Sequence, residues 1–317
     1  SRGKLKGFGI HIGTPSSSPW ELLRDQKRRV LSGGYFGKSD YAKEVEGVIF
    51  SLIEKISTED FNTFCSLLAK IDHSIYDEFF FTLFDASDTT PFHEDGGGFR
   101  SMKISKFLIS LLELEKNNLV YNPAVGDGDF IPFLPDGIKY IGQEEDRIAW
   151  LNSALKVLAK NDFSGYSYFE QNAIKNWHPN SFDAIISMGS FKKIPDTCLK
   201  EKYNVKTSEQ YILSRSLDSL KDKGKLLLTV SSGLLFRSGA DSLIREKLVN
   251  EDLLELVISL PAGVLKNTKI PVSVLVISKE KKNPGFVKFI NLTEEKFDFS
   301  EFDFSGLGAE VSQGVDS

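Results

Sequence analysis

Cysteine is nearly missing from these 317 residues: Cys65 and Cys198 are far apart, and neither has His or Cys beside it at metal-ligand spacing. No disulfide framework and no metal site is expected, and a reducing compartment fits such usage. Long hydrophobic runs are missing too. No apolar stretch approaches the roughly 20 residues that cross a bilayer, and the opening Ser1-Arg2-Gly3-Lys4 leads into no signal-peptide core. A soluble, cytoplasmic protein without a membrane partner is expected. Nor does one sign of charge dominate, since 39 basic residues stand against 44 acidic ones for a net of -5. An acidic chain gains little from neutralising phosphates unless its basic residues cluster, so composition argues against autonomous DNA binding. The clusters present are Lys192 with Lys193, Lys200 with Lys202, and the trio Lys221, Lys223 and Lys225. Each taken alone reads as a solvated face.

Core material is plentiful. Apolar residues make up 41% and aromatics 12%, including 25 Phe, which argues against disorder and for a packed interior. The length exceeds what one core usually serves, so two units are expected. Residues 1–98 read as a helical domain. Ser18 and Glu21 form a capping box, Pro19 suits the first helical position, and Gly33-Gly34 follow the last turn. Val45, Val48, Ile49, Leu52 and Ile53 then recur at helical spacing, as do Phe61, Phe64, Leu67 and Leu68. Residues 85–98, ending Asp95-Gly96-Gly97-Gly98, break that pattern and mark the boundary.

From residue 99 to about 290, short apolar runs alternate with helical stretches, the pattern of βαβ units around a mainly parallel sheet. Candidate strands are 119–122, 138–142, 182–187, 225–230, 254–260 and 272–277, with helices at 147–159, 208–220 and 240–249. The α/β architecture expected is a helical domain followed by a seven-stranded, mostly parallel sheet with helices on both faces. The tail 291–317 carries Phe297, Phe299, Phe302 and Phe304 between acidic residues and is expected to pack as an edge segment. Its ending, Val315-Asp316-Ser317, reads as a shortened end.

Asn122-Pro123-Ala124-Val125-Gly126-Asp127-Gly128-Asp129-Phe130 follows the first strand, where glycines let backbone amides approach a cofactor. Glycines after a strand also serve tight turns, so the pair gains meaning only from a second motif. That motif is Gly142-Gln143-Glu144 at the end of the second strand. An acid there can accept hydrogen bonds from both ribose hydroxyls of a nucleoside cofactor, which makes Glu144 the leading single contact.

These stretches resemble the DNA adenine-N6 methyltransferase (modification) subunit of type I restriction-modification systems. In that family the first loop reads Asp-Pro-Ala-Cys-Gly-Ser-Gly-Gly-Phe, matched here at Pro123, Ala124, Gly126, Gly128 and Phe130. The second strand ends in a similar Gly-Gln-Glu, matched by Gly142, Gln143 and Glu144. Phe182-Asp183-Ala184-Ile185-Ile186 is similar to the strand leading into the catalytic motif. The run Ser232-Gly233-Leu234-Leu235-Phe236-Arg237-Ser238-Gly239-Ala240, with Ile258-Ser259-Leu260-Pro261 and Thr268-Lys269-Ile270-Pro271, resembles the family's carboxy-terminal part. The resemblance spans about half the chain, in order. It implies a Rossmann-like S-adenosylmethionine-dependent methyltransferase fold for 99–290, S-adenosylmethionine as cofactor, and DNA as partner, read by a separate specificity-type subunit in a homo- or hetero-oligomer. A Rossmann dehydrogenase loses to this reading because the carboxy-terminal match belongs to the methyltransferase family.

The departures fall where the chemistry should be. The family's Phe-Tyr-Thr-Pro, which helps hold the cofactor's amino-acid end, is Phe99-Arg100-Ser101-Met102 here, keeping only Phe99 and a hydroxyl at Ser101. The leading Asp of the loop is Asn122, and Asp127 and Asp129 replace small neutral residues. The acid that meets the cofactor's adenine falls near Glu170. The catalytic Asn-Pro-Pro-Phe reads Met188-Gly189-Ser190-Phe191. In the parent chemistry a flipped adenine stacks on the aromatic while the Asn amide and a backbone carbonyl accept from its exocyclic amine. A Met thioether is at best a weak acceptor, and Gly-Ser does not reproduce a rigid Pro-Pro turn. The resemblance with these departures implies weak cofactor binding and a methyltransferase whose activity is in doubt. The alternative is a catalytically inactive DNA-binding or assembly subunit of a restriction-modification-like complex.

Overall fold

The computed structural model describes residues 102–159, 165–188, 191–194, 202–265 and 270–293, with 57, 59 and 63. Apart from Ser57, Glu59 and Thr63, the helical domain expected over 1–98 with its 85–98 boundary falls outside these residues, as do the tail beyond Thr293, Lys200, Thr268 and Lys269. The described chain runs α1 (Met102–Ser110), β1 (Leu119–Asn122), a short 3-10 turn (Ile131–Phe133), β2 (Lys139–Glu144), α2 (Arg147–Ala159), β3 (Tyr166–Glu170), β4 (Phe182–Ser187) and α3 (Ser208–Ser219). It continues through β5 (Leu220–Ser231), a 3-10 turn (Ser232–Leu235), α4 (Ala240–Asn250), β6 (Leu254–Leu260), β7 (Val272–Ser278) and β8 (Lys288–Asn291).

One sheet holds all eight strands in the order β3-β2-β1-β4-β5-β7-β6-β8. β3, β2, β1, β4 and β5 are parallel neighbours. β7 runs antiparallel between β5 and β6, and β8 lies parallel to β6 at the edge. All six candidate strands form, and Tyr166–Glu170 and Lys288–Asn291, which periodicity did not flag, bring the sheet to eight strands where seven were expected; β7 enters against the common direction.

Burial explains the sheet. Every residue of β7 is buried, as are the last six of β5, which is how strands covered on both faces read. One face packs Tyr121, Ile141, Leu226, Leu228, Val257 and Leu275 against Ile212, Leu213 and Leu217 of α3 and Leu248 of α4. On the other face Trp150 of α2 meets the ring of Tyr168, whose hydroxyl bonds Ser153. α3 starts on a capping box, with the Thr207 side chain accepting from the Gln210 amide and the Gln210 side chain accepting in return. Asp146 caps α2, its Oδ1 accepting from the amides of Ile148 and Ala149 at 3.0 and 2.8 Å.

Candidate functional site

Because β3, β2, β1 and β4 are parallel, their last residues lie along one edge of the sheet: Glu170, Glu144, Asn122 and Ser187. The chain winds outward from β1 to β3 on one side and from β4 to β5 on the other. The crevice beyond the carboxyl ends of β1 and β4 is therefore the topological switch point, where open α/β sheets take their ligands.

The loop after β1 is held by its own backbone. Asn122 Oδ1 accepts from the Ala124 amide at 3.1 Å, and the Val125 amide donates to the Gln143 carbonyl at 3.1 Å. The Gly126 amide donates to Glu144 Oε2 at 2.8 Å, joining the two motifs recognised in the sequence. Gly126 and Gly128 have φ of +58° and +81°, in the left-handed region. At Gly128 a Cβ would stand 2.7 Å from Ile131 Cδ1, 2.8 Å from Ser153 Cβ and 3.0 Å from the Ser153 Cα, so the loop reaches α2 only without one. Asp127 is turned towards α2, accepting from Asn152 Nδ2 at 3.0 Å, and Asp129 is buried.

Glu144 is half-buried, and its Oε1 accepts from the amides of Glu145 and Asp146, both at 2.9 Å. Burial pushes its carboxyl above the ordinary carboxylate range, against the pull of the three amides. Of roughly four acceptor positions on a carboxylate, three are used, which leaves one on Oε2 for an incoming hydroxyl. A second hydroxyl would have to displace an amide.

The ends of β2 and β3 are cross-linked by side-chain contacts that the sequence did not reveal. Buried Gln143 accepts from the Tyr121 hydroxyl and donates to the Asn176 carbonyl at 3.0 Å and to Gln171 Oε1 at 3.3 Å. Arg147 forms an ion pair with Glu170, and Asn172 donates to Glu145. Glu170 thus reaches the edge beside Glu144 already partnered. The Gly-Gln-Glu motif was the one available signal for Gln143.

Met188 follows β4 directly and is 3% exposed, so its side chain is packed at the switch point. Gly189 and Ser190, like Phe99 and Ser101, lie outside the described residues. Phe191 is half-buried, and Lys192 and Lys193 are exposed. Lys193 bridges Thr207, while the Ser208 amide and hydroxyl both donate to the Lys192 carbonyl at 2.9 Å. The edge therefore places Pro123, Gly126, Gly128 and Glu144 around one loop, with Met188 across the switch point. Among the described residues no group of three His, Cys, Asp or Glu could hold a metal ion, and no helix is long and apolar enough to cross a membrane.

Comparison with known proteins agrees with this fold. The family model for N-6 DNA methylases matches residues 75–302. Among curated relatives, the methylase subunit of type I restriction enzyme MjaVII from Methanocaldococcus jannaschii is 24% identical over 231 residues, 64% of this chain and 40% of that protein. The HindI methylase subunit of Haemophilus influenzae is 24% identical over 222 residues, 62% of this chain and 49% of that protein. The matches thus span less than half the length of these relatives. The crystal structure of a type I restriction-modification methyltransferase subunit from Streptococcus thermophilus superimposes with a TM-score of 0.67 at 18% identity, covering 93% of this chain and 68% of that one. A putative class I S-adenosylmethionine-dependent methyltransferase from Listeria monocytogenes gives 0.61 at 15% identity, covering 96% and 94%.

Proposed function

Because the chain belongs to the N-6 DNA methylase family, we propose that it is a DNA-associated, S-adenosylmethionine-binding subunit in which methyl transfer to adenine has been lost. The observation that carries this is Met188: a buried thioether stands at the end of β4, where the family's chemistry uses an amide acceptor.

The residues at the β1–β2 end suit a nucleoside. Glu144 has one acceptor position left for a ribose hydroxyl, and the loop around Gly126 and Gly128 bends by glycine conformations that other residues rarely adopt. Asn122 would replace a charged contact by a neutral one, and Glu170 would have to share its carboxylate with Arg147. These features support binding weaker than in relatives that keep the full motifs. S-adenosylmethionine, when bound, supplies an electrophilic methyl group. For transfer the chain would have to hold the adenine amine by two acceptors so that its lone pair points at that group. Met188 withdraws one acceptor.

DNA and a specificity-type subunit are the proposed partners. With a net charge of -5, the chain alone should bind DNA weakly and with strong salt dependence, Lys192 and Lys193 offering the nearest basic residues. The test is transfer of labelled methyl from S-adenosylmethionine to an adenine-containing duplex, with the specificity-type subunit supplied. No transfer above background is expected; robust transfer by the unaltered chain refutes the reading and means that another residue orients the amine.

A further inference from the structure

Beyond β5 the chain exposes two side chains that neither the sheet nor the cofactor loop uses. Phe236 is 76% exposed, and the side chain of Arg237 beside it is 54% exposed. A single exposed Phe is ordinary, and Phe286 and Phe289 near β8 are others. Position and support set Phe236 apart. β5 is parallel to β4, so Ser232–Leu235 and then Phe236 leave the sheet at the same edge as Met188, one strand from the switch point.

Arg237 is held from below. Its guanidinium lies over the bare backbone of Gly233, where a Cβ would come within 2.2 to 2.4 Å of three guanidinium atoms. The buried carboxylate of Asp241 stands 4.0 Å away and accepts from Gln210 Nε2. Gln210 Oε1 accepts in turn from the amides of Lys206 and Thr207, at 2.6 and 3.2 Å. Next to Gln210, buried Glu209 accepts from the amide and hydroxyl of Ser231 at 2.7 and 3.0 Å, fixing the start of the Phe236 turn. Ser208, one residue earlier, donates to the Lys192 carbonyl. Three successive residues at the start of α3, Ser208, Glu209 and Gln210, thus tie the backbones that carry Lys192 and Lys206, with Lys193 beside Thr207, all three lysines exposed, to the turn that carries Phe236 and Arg237.

We propose that Phe236 and Arg237 form a nucleic-acid contact on this edge, in which Phe236 stacks on a base freed from its helix and Arg237 binds a neighbouring phosphate. This rests on the reading above that the chain works on DNA. An aromatic ring among cations is the arrangement that binds unpaired nucleotides, because every base has a π face and every nucleotide a phosphate. The guanidinium fork suits phosphate oxygens, and a single contact at 4.0 Å leaves most of its five donors unengaged. In a chain of net charge -5, four cations linked along one edge favour a polyanion over an acidic protein surface.

The test uses the full chain at low ionic strength and fluorescence anisotropy with two labelled duplexes, one fully paired and one with a single unpaired adenine. Phe236→Ala should weaken binding of the unpaired-adenine duplex about tenfold and that of the paired duplex no more than about twofold, and Phe236→Trp should restore the difference. Arg237→Ala should weaken both and lower the slope of log affinity against log salt by about one. Gly233→Ala, which pushes the guanidinium off its seat, should move in the same direction as Arg237→Ala. Unchanged binding of both duplexes by Phe236→Ala and Arg237→Ala overturns the inference while leaving the function above intact. If the parent chain binds neither duplex, the DNA reading itself falls, and this inference with it. If the Phe236 variant alters only association with a specificity-type subunit, the turn is a protein contact and the inference is overturned.

Discussion

Two stretches of one sheet edge, the ends of β1 and β2 and the end of β4, have fared differently. At the first, the loop glycines keep their left-handed conformations and the Gly126 amide still meets Glu144 at 2.8 Å. At the second, Met188 is buried at the position that the resemblance aligns with the family's acceptor. The contrast teaches that the parts of such a site separate physically. The loop and its acid are built into the fold, since Gly128 packs on Ser153 and Glu144 accepts three backbone amides. On the proposed reading, an acceptor at the end of β4 would serve the reacting amine and not the sheet.

On the proposed reading, supplying an acceptor to the second half should have the largest effect. Met188→Asn, Gly189→Pro and Ser190→Pro combined should raise labelled-methyl transfer at least about a hundredfold over the parent, from an acceptor worth roughly 3 kcal/mol in the transition state together with better positioning. An unchanged rate would show that the second half fails for some other reason.

Removing the kept half comes next. Glu144→Ala should weaken S-adenosylmethionine binding about ten- to hundredfold, the range for hydrogen bonds to a charged group. The pH dependence has a defined sign. Burial raises the Glu144 carboxyl, so affinity that needs the carboxylate should fall on acidification from a higher pH than an exposed glutamate would give. Folding stability runs the other way: a raised folded pKa contributes stability that is full below the unfolded value and is lost as pH rises through the folded one. Glu144→Gln should flatten both profiles, read by calorimetric titration and by urea unfolding across pH.

Gly128→Ala tests whether the loop belongs to the fold. The left-handed φ and the contacts with Ser153 should together cost about 2 to 3 kcal/mol in urea unfolding, whereas a loop serving only the cofactor would leave stability unchanged. Smallest of all is Glu170→Gln. Its carboxylate is engaged by Arg147 in a partly exposed pair worth no more than about 1 kcal/mol, so affinity should shift by a few fold at most.

Much of this was legible in the sequence, for identifiable reasons. β1, β4 and β6 occupy the expected residues, each a short run rich in apolar side chains. α2 spans the expected residues, and its Asp146 cap is a sequence signal that went unused. β3 and β8 escaped because five and four residues alternating between buried and exposed carry little periodic signal. The direction of β7 could not be read, since a strand buried on both faces looks the same in either orientation. At the site, the loop glycines and Glu144 declared themselves through spacing. The Gln143, Arg147 and Asn172 contacts did not, because they depend on the register that sets Glu144 beside Glu170. Nor did spacing reveal that Asp127 bonds Asn152.

The central claim, that cofactor binding survives without the chemistry, is tested most directly by calorimetric titration of the purified chain with S-adenosylmethionine. The account predicts saturable binding that Glu144→Ala weakens by about ten- to hundredfold and Met188→Asn leaves unchanged. Absence of binding in the parent chain, or binding equally strong in Glu144→Ala, would contradict it.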